Sequence, residues 1–149
     1  MMSLQAFFNR LGNPILAALL RSPLHAMLDG GTMLVSVTGR RSGRVYTTPV
    51  NYLRDGDALT AVSLRERTWW RNLRGGAEVG VLLRGHARRG RAALSEDNTE
   101  VAAALGQVVA RLPARARYLG VRMRPDGAPE SEDLARAARS RVVVRVQLT

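Results

Sequence analysis

Thr32-Met33-Leu34-Val35-Ser36-Val37-Thr38-Gly39-Arg40-Arg41-Ser42-Gly43-Arg44-Val45-Tyr46-Thr47-Thr48-Pro49-Val50 is the stretch whose reading decides the fold. Residues 33–37 form one apolar run, and residues 45–53 form a second that is rich in β-branched side chains. The two glycines between them, Gly39 and Gly43, supply turn conformations that other residues avoid, so the runs read as an antiparallel hairpin. Working outward, Asp55-Gly56-Asp57 marks the next turn and residues 58–63 a third strand. Residues 69–74 read as a short helix closed by Gly75-Gly76. Residues 78–83 and 86–94 form another hairpin about Arg84-Gly85, and residues 141–148 form a last strand. Asp97 with Glu100 three positions on makes a capping box. It opens a helix over about 98–112, with Val101, Leu105, Val108 and Leu112 on one face and Pro113 as its stop. A short helix follows near residues 133–139, where Glu130, Glu132 and Asp133 read as charges that favour a helix N-terminus. The pattern predicts an α+β fold of about six mostly antiparallel strands, closing toward a barrel, with flanking helices.

Toward the N-terminus the pattern is helical. Asn13-Pro14 and Ser22-Pro23 each pair a capping residue with a proline suited to the first helical position, and Gly30-Gly31 ends the second helix. Residues 1–149 are therefore expected to form one domain with a helical arm over about 1–30. Phe7, Phe8, Leu11 and Ile15 give the arm an apolar surface that either packs on the domain or makes peripheral contact with membrane lipid. No segment approaches the ~20 apolar residues of a membrane span. The run from Pro14 to Leu20 is short for a signal peptide, and no small-residue cleavage site follows it. A cytoplasmic protein is expected.

The charge pattern is one-sided. The chain of 149 residues carries 23 basic residues, every one an arginine, against 12 acidic ones, for a net charge of +11. Codon bias in a GC-rich genome accounts for arginine over lysine; so does a need for planar, bidentate donors toward phosphate or carboxylate. Such a chain favours acidic partners. No nucleic-acid reading motif accompanies the charge, so no nucleic acid is expected. The absence of cysteine rules out disulfides, thiolate metal sites and cysteine nucleophiles. His25 and His86 share no metal-ligand spacing, and no metal is expected.

One segment concentrates chemistry. Between Thr38 and Arg44, glycines can turn backbone N–H groups into a concavity, Ser42 adds a hydroxyl, and Arg40, Arg41 and Arg44 add guanidinium forks. These are the parts of a phosphate cradle, and equally those of a solvated hairpin tip.

The order and spacing of Val37-Thr38-Gly39-Arg40-Arg41-Ser42-Gly43, Thr47-Thr48-Pro49-Val50, Asp55-Gly56-Asp57 and Trp69-Trp70-Arg71-Asn72-Leu73-Arg74 resemble the deazaflavin-dependent nitroreductase family. The resemblance runs from about residue 34 to 83. Residues 140–148 and the Asn13-Pro14 and Ser22-Pro23-Leu24 pairs also fit. It implies a split β-barrel related to the barrels that bind flavin mononucleotide, and a cofactor, coenzyme F-420, with a phosphate and an acidic glutamate tail. By the same resemblance Arg40, Arg41, Ser42, Gly43 and Arg44 would meet the phosphate or tail, and Thr48 and Pro49 would line the ring site. Ser63 would face the reactive part of the ring, beside Trp69, Trp70 and Asn72. Tyr118 lies where relatives place a substrate-facing tyrosine. The segment 64–68 is shorter than the family's loop and lacks its glycines, and Arg65 and Arg67 can stand in for that loop beside the cofactor. The implied activity is hydride transfer from the reduced coenzyme to a small electrophile such as a quinone, enone or nitro compound. The alternatives are a reductase using flavin mononucleotide and a non-catalytic cofactor- or anion-binding barrel. A homodimer is a further expectation.

Overall fold

A computed structural model describes residues 31–149. The expected helical arm over 1–30 lies outside the described residues. The strands are β1 (Thr32–Thr38), β2 (Val45–Asp55), β3 (Ala58–Leu64), β4 (Ala77–Leu83), β5 (His86–Ser95) and β6 (Arg141–Leu148). The helices are α1 (Asn98–Arg111), α2 (Arg115–Leu119) and α3 (Ser131–Arg139). Two short 3-10 helices, Arg65–Arg67 and Trp69–Leu73, link β3 to β4. The strands close into a barrel in the order β1-β2-β3-β6-β5-β4, and every neighbouring pair is antiparallel.

Strand alternation divides the apolar residues between two cores. Met33, Val35, Leu59, Ala61, Val142 and Val144 point into the barrel. Val143, one position out of phase with its neighbours, points outward and meets Val101, Leu105 and Val109 of α1 and Ala138 of α3. The helices thus cover one outer side of the barrel. Asp97 caps α1 as expected, its side chain accepting a 2.9 Å hydrogen bond from the Glu100 N–H. Leu112 departs from the expected face. It follows the last turn of α1 and is exposed, while Val101, Leu105 and Val108 are buried.

Glycine has a packing role at Gly90 in β5. A Cβ there would stand 2.5 Å from Val146 Cγ1 and 2.9 Å from the Gln147 carbonyl oxygen, so only a residue without a side chain lets β5 and β6 approach.

Asp133 does more than favour the dipole of α3. Its carboxylate is fully buried. It accepts from the Arg122 N–H at 2.8 Å, Arg122 Nε at 2.9 Å and Arg136 Nη2 at 2.7 Å. The side-chain and backbone bonds from Arg122, helped by Arg136, hold its pKa well below the usual carboxylate range. A depressed folded-state pKa contributes stability that is fully present above the unfolded value near 3.9 and is lost as pH falls below it. Melting temperature is therefore expected to fall more steeply between pH 4 and pH 2 in the wild type than in Asp133→Asn, which is less stable at neutral pH but cannot titrate. Parallel curves would deny Asp133 this role.

Candidate functional site

The barrel wall has an opening. β2 pairs with β1 from Val45 to Asn51, but with β3 only from Tyr52 to Asp55. The first half of β2 and the last residues of β3 therefore diverge. Into this gap come Pro49, Asn51 and Leu53 from the outer side of β2, and Thr60, Val62 and Leu64 from β3. Val108 of α1 and Leu119 of α2 roof the space, leaving a cavity of about 260 Å³. Ser63, Tyr118, Arg67, Arg115 and Arg141 also line it, and among the described residues no carboxylate does.

At the split, Ser63 is buried and its hydroxyl is held on both sides. It accepts from Trp69 Nε1 at 3.0 Å and donates to the Leu64 carbonyl at 3.2 Å. Arg67 reaches across the opening and donates from Nη2 to the Thr48 hydroxyl. Arg65 donates to the Glu96 carbonyl at 2.7 Å, away from the cavity lining. Trp70 is a core residue: its indole N–H donates to the Arg65 carbonyl at 3.1 Å. The Arg71 and Arg74 guanidiniums lie 5.8 and 5.2 Å from the centroid of its ring.

The hairpin tip is tied to the same segment through Asn72. Asn72 Nδ2 donates to the Trp69 carbonyl at 3.0 Å, and its Oδ1 accepts from the Arg40 N–H at 3.1 Å. A hydrogen-bonded path thus runs from Ser63 through Trp69 and Asn72 to the tip. The Arg40 guanidinium is engaged by the backbone, donating to the Arg74 and Gly76 carbonyls. Ser42 holds the turn, accepting from the Arg44 N–H at 3.2 Å and sharing a hydrogen bond with the Tyr46 hydroxyl. Gly43 sits at φ 70°, where a side chain would be strained. Arg41 and Arg44 are exposed at the tip. From Arg44 to Pro49 the strand advances ~16 Å, so only an elongated ligand spans tip and cavity.

The structure thus gathers Pro49, Ser63 and Tyr118 at one cavity, with Thr48 and Trp69 one hydrogen bond behind it. The tip of the first hairpin stands apart. Arg115 and Arg141 were not anticipated. Arg141 was legible as the first residue of β6, where antiparallel pairing puts it opposite Leu64. Arg115 belongs to α2, a helix of five residues with no apolar period to betray it.

A family model described as F420H(2)-dependent quinone reductase matches residues 21–124. The chain belongs to this family. It is accordingly a deazaflavin-dependent oxidoreductase whose cofactor is coenzyme F-420. No curated protein matches the sequence. Among solved structures, a domain-swapped dimer has a TM-score of 0.55 at 15% identity, over 94% of this chain and 98% of that one. The protein Atu2129 from Agrobacterium tumefaciens, of unknown function, has 0.53 at 21% identity, over 94% and 58%. A candidate pyridoxamine 5′-phosphate oxidase from Listeria innocua has 0.50 at 15% identity, over 91% of each. These likenesses establish the fold, a split β-barrel.

The residues present fit the family's coenzyme. A flat ring needs apolar walls, which Pro49, Leu53, Val62 and Leu119 provide. A phosphate and carboxylates need cations, and Arg67 and Arg141 stand beside Ser63 while Arg41 and Arg44 stand at the tip. The cavity suits a ring more than a whole tailed cofactor, as ligand pockets commonly run ~300–1,000 Å³. No group of three or more histidine, aspartate or glutamate residues among the described residues is arranged to hold a metal ion. None of the described helices is long and apolar enough to cross a membrane.

Proposed function

We propose that the protein reduces a small apolar electrophile, a quinone, enone or nitro compound, in the cavity at the barrel's split. The observation that carries this reading is the opening itself: a chamber with apolar walls edged by arginines, a fixed serine at one wall and an exposed tyrosine at another. When bound, the reduced coenzyme supplies the hydride; the protein binds, orients and shields. Ser63, fixed between Trp69 and Leu64, presents its oxygen to the ring or acceptor in one orientation. Arg67 and Arg141 attract negative charge to the same end, and Arg41 and Arg44 hold the acidic tail. Tyr118 is 73% exposed at the cavity mouth, and its hydroxyl is available to donate a proton to the acceptor oxygen that gains charge.

Steady-state oxidation of the reduced coenzyme, followed by absorbance with a naphthoquinone, an enone or a nitroimidazole as acceptor, tests the reading. Acceptor-dependent turnover is expected with at least one of them, and Tyr118→Phe is expected to lower it. Tight binding of the coenzyme without turnover would leave a carrier. Tighter binding of flavin mononucleotide than of the deazaflavin would replace the cofactor.

A further inference from the structure

The α2 wall of the cavity carries a charge that this reading leaves unassigned. Arg67 is engaged by Thr48, and Arg141 Nη1 donates to the Ala137 carbonyl at 3.2 Å and to Ser140 Oγ at 3.2 Å. Arg115 differs. It is half-buried and lines the cavity, yet its guanidinium has no hydrogen bond or ion pair among the described residues. A Cβ on Gly31 would lie 3.5 Å from its Nη2, so the side chain lies close to the chain's entry to β1. Three residues on, Tyr118 lines the same cavity, and i and i+3 positions share one face of a helical turn. A partly desolvated guanidinium with five donors and no hydrogen-bonded acceptor among the described residues is an incomplete site, matched by the carboxylate or phosphate that its planar fork fits.

We infer that Arg115, beside Tyr118, forms an anion subsite that selects acceptors bearing a carboxylate. The inference rests on the proposed acceptor site and adds the substrate class. The acceptor is its source of charge, because Arg67 and Arg141 already serve the Ser63 end of the cavity and Arg41 and Arg44 the tail. Arg115 stands on a different wall, beside the tyrosine that meets the acceptor. Among the described residues no carboxylate lines the cavity to offset the arginine's charge.

A naphthoquinone with a carboxylate arm and its methyl ester differ only in that charge. For the wild type, kcat/KM for the acid is expected to exceed that for the ester by about tenfold or more, as a charge-assisted bidentate contact is among the stronger hydrogen bonds. Arg115→Gln is expected to bring the ratio to about one through KM, with the coenzyme's Kd holding, and Arg115→Lys is expected to restore part of it. A wild-type ratio near one would overturn the subsite. So would a loss of coenzyme affinity in Arg115→Gln with the acid-to-ester ratio intact, since the anion would then be the coenzyme's own. If the wild type turns over neither quinone, the functional reading fails separately. Equilibrium titration of acid and ester against the protein's tryptophan fluorescence then decides the subsite: a preference that Arg115→Gln abolishes supports it, and equal binding overturns it.

Discussion

Ser63→Ala is expected to lower acceptor-dependent turnover by about tenfold to a thousandfold while leaving the barrel folded. The lower bound is the loss of one hydrogen bond of about 1.5 kcal/mol to a charged group. The upper bound is the ~2.7–4 kcal/mol that loss of a pre-oriented hydrogen-bonding group from an active site can cost. Ser63 is buried, and its hydroxyl bridges the Trp69 indole N–H at 3.0 Å and the Leu64 carbonyl at 3.2 Å. Its removal takes a polar contact from the cavity wall and strips Trp69 of its acceptor, so the indole loses its anchor. Trp69→Phe separates the two effects, because it keeps the serine and removes only the indole donor. Turnover of the Ser63→Ala protein is expected to fall further than that of Trp69→Phe. The readout is kcat with saturating reduced coenzyme, alongside the coenzyme's Kd. A kcat equal to that of the wild type would make Ser63 an anchor for Trp69 and nothing more.

The strands were legible because their signals are local. Glycine-rich turns at Gly39–Gly43 and Asp55–Asp57 bracket the apolar run at 33–37 and the β-branched run at 45–53, each of strand length. Closure between β1 and β4, and between β5 and β6, was legible only as a tendency, because no local residue names a partner strand. The site divides the same way. Ser63, Thr48, Pro49 and Trp69 were named by the family resemblance alone. Their grouping depends on where β2 leaves β3, at Tyr52, which is a matter of register. Arg40 shows the converse: its residue type suggests a phosphate donor, but the fold ties its guanidinium to the Arg74 and Gly76 carbonyls. Asn72 reads as a neighbour of the cofactor, and its side chain instead joins the Trp69 turn to the tip. Asp133 reads only as a charge favouring a helix N-terminus, because its partner Arg122 lies in a loop that sequence periodicity does not place.

Gly90→Val is expected to prevent the barrel from closing. β5 pairs with β4 through Val79 and with β6 through Leu148 at this position, so the residue is fixed from both sides. A Cβ would meet Val146 Cγ1 at 2.5 Å and the Gln147 carbonyl oxygen at 2.9 Å. The first contact is with a side chain that can rotate. The second is with backbone held in the β5–β6 ladder, and it yields only if the strands separate. Overpacking of a core costs about 1–3 kcal/mol where the surroundings relax. Alanine for glycine returns about 0.4–1 kcal/mol through the unfolded chain. Gly90→Ala should therefore remain folded with a lowered melting temperature. Valine adds two methyl groups to the same space, and its cost is expected to exceed ~4 kcal/mol, a large part of the ~5–15 kcal/mol that holds a domain together. Soluble yield and thermal melts followed by circular dichroism give the comparison. Adding Val146→Ala to Gly90→Ala removes the side-chain clash and leaves the backbone one. Correcting for the cavity cost of Val146→Ala alone, the pair should regain only part of the lost stability. Full recovery would place the whole restriction in Val146, and a Gly90→Val protein as stable as the wild type would show that β5 and β6 do not approach this closely.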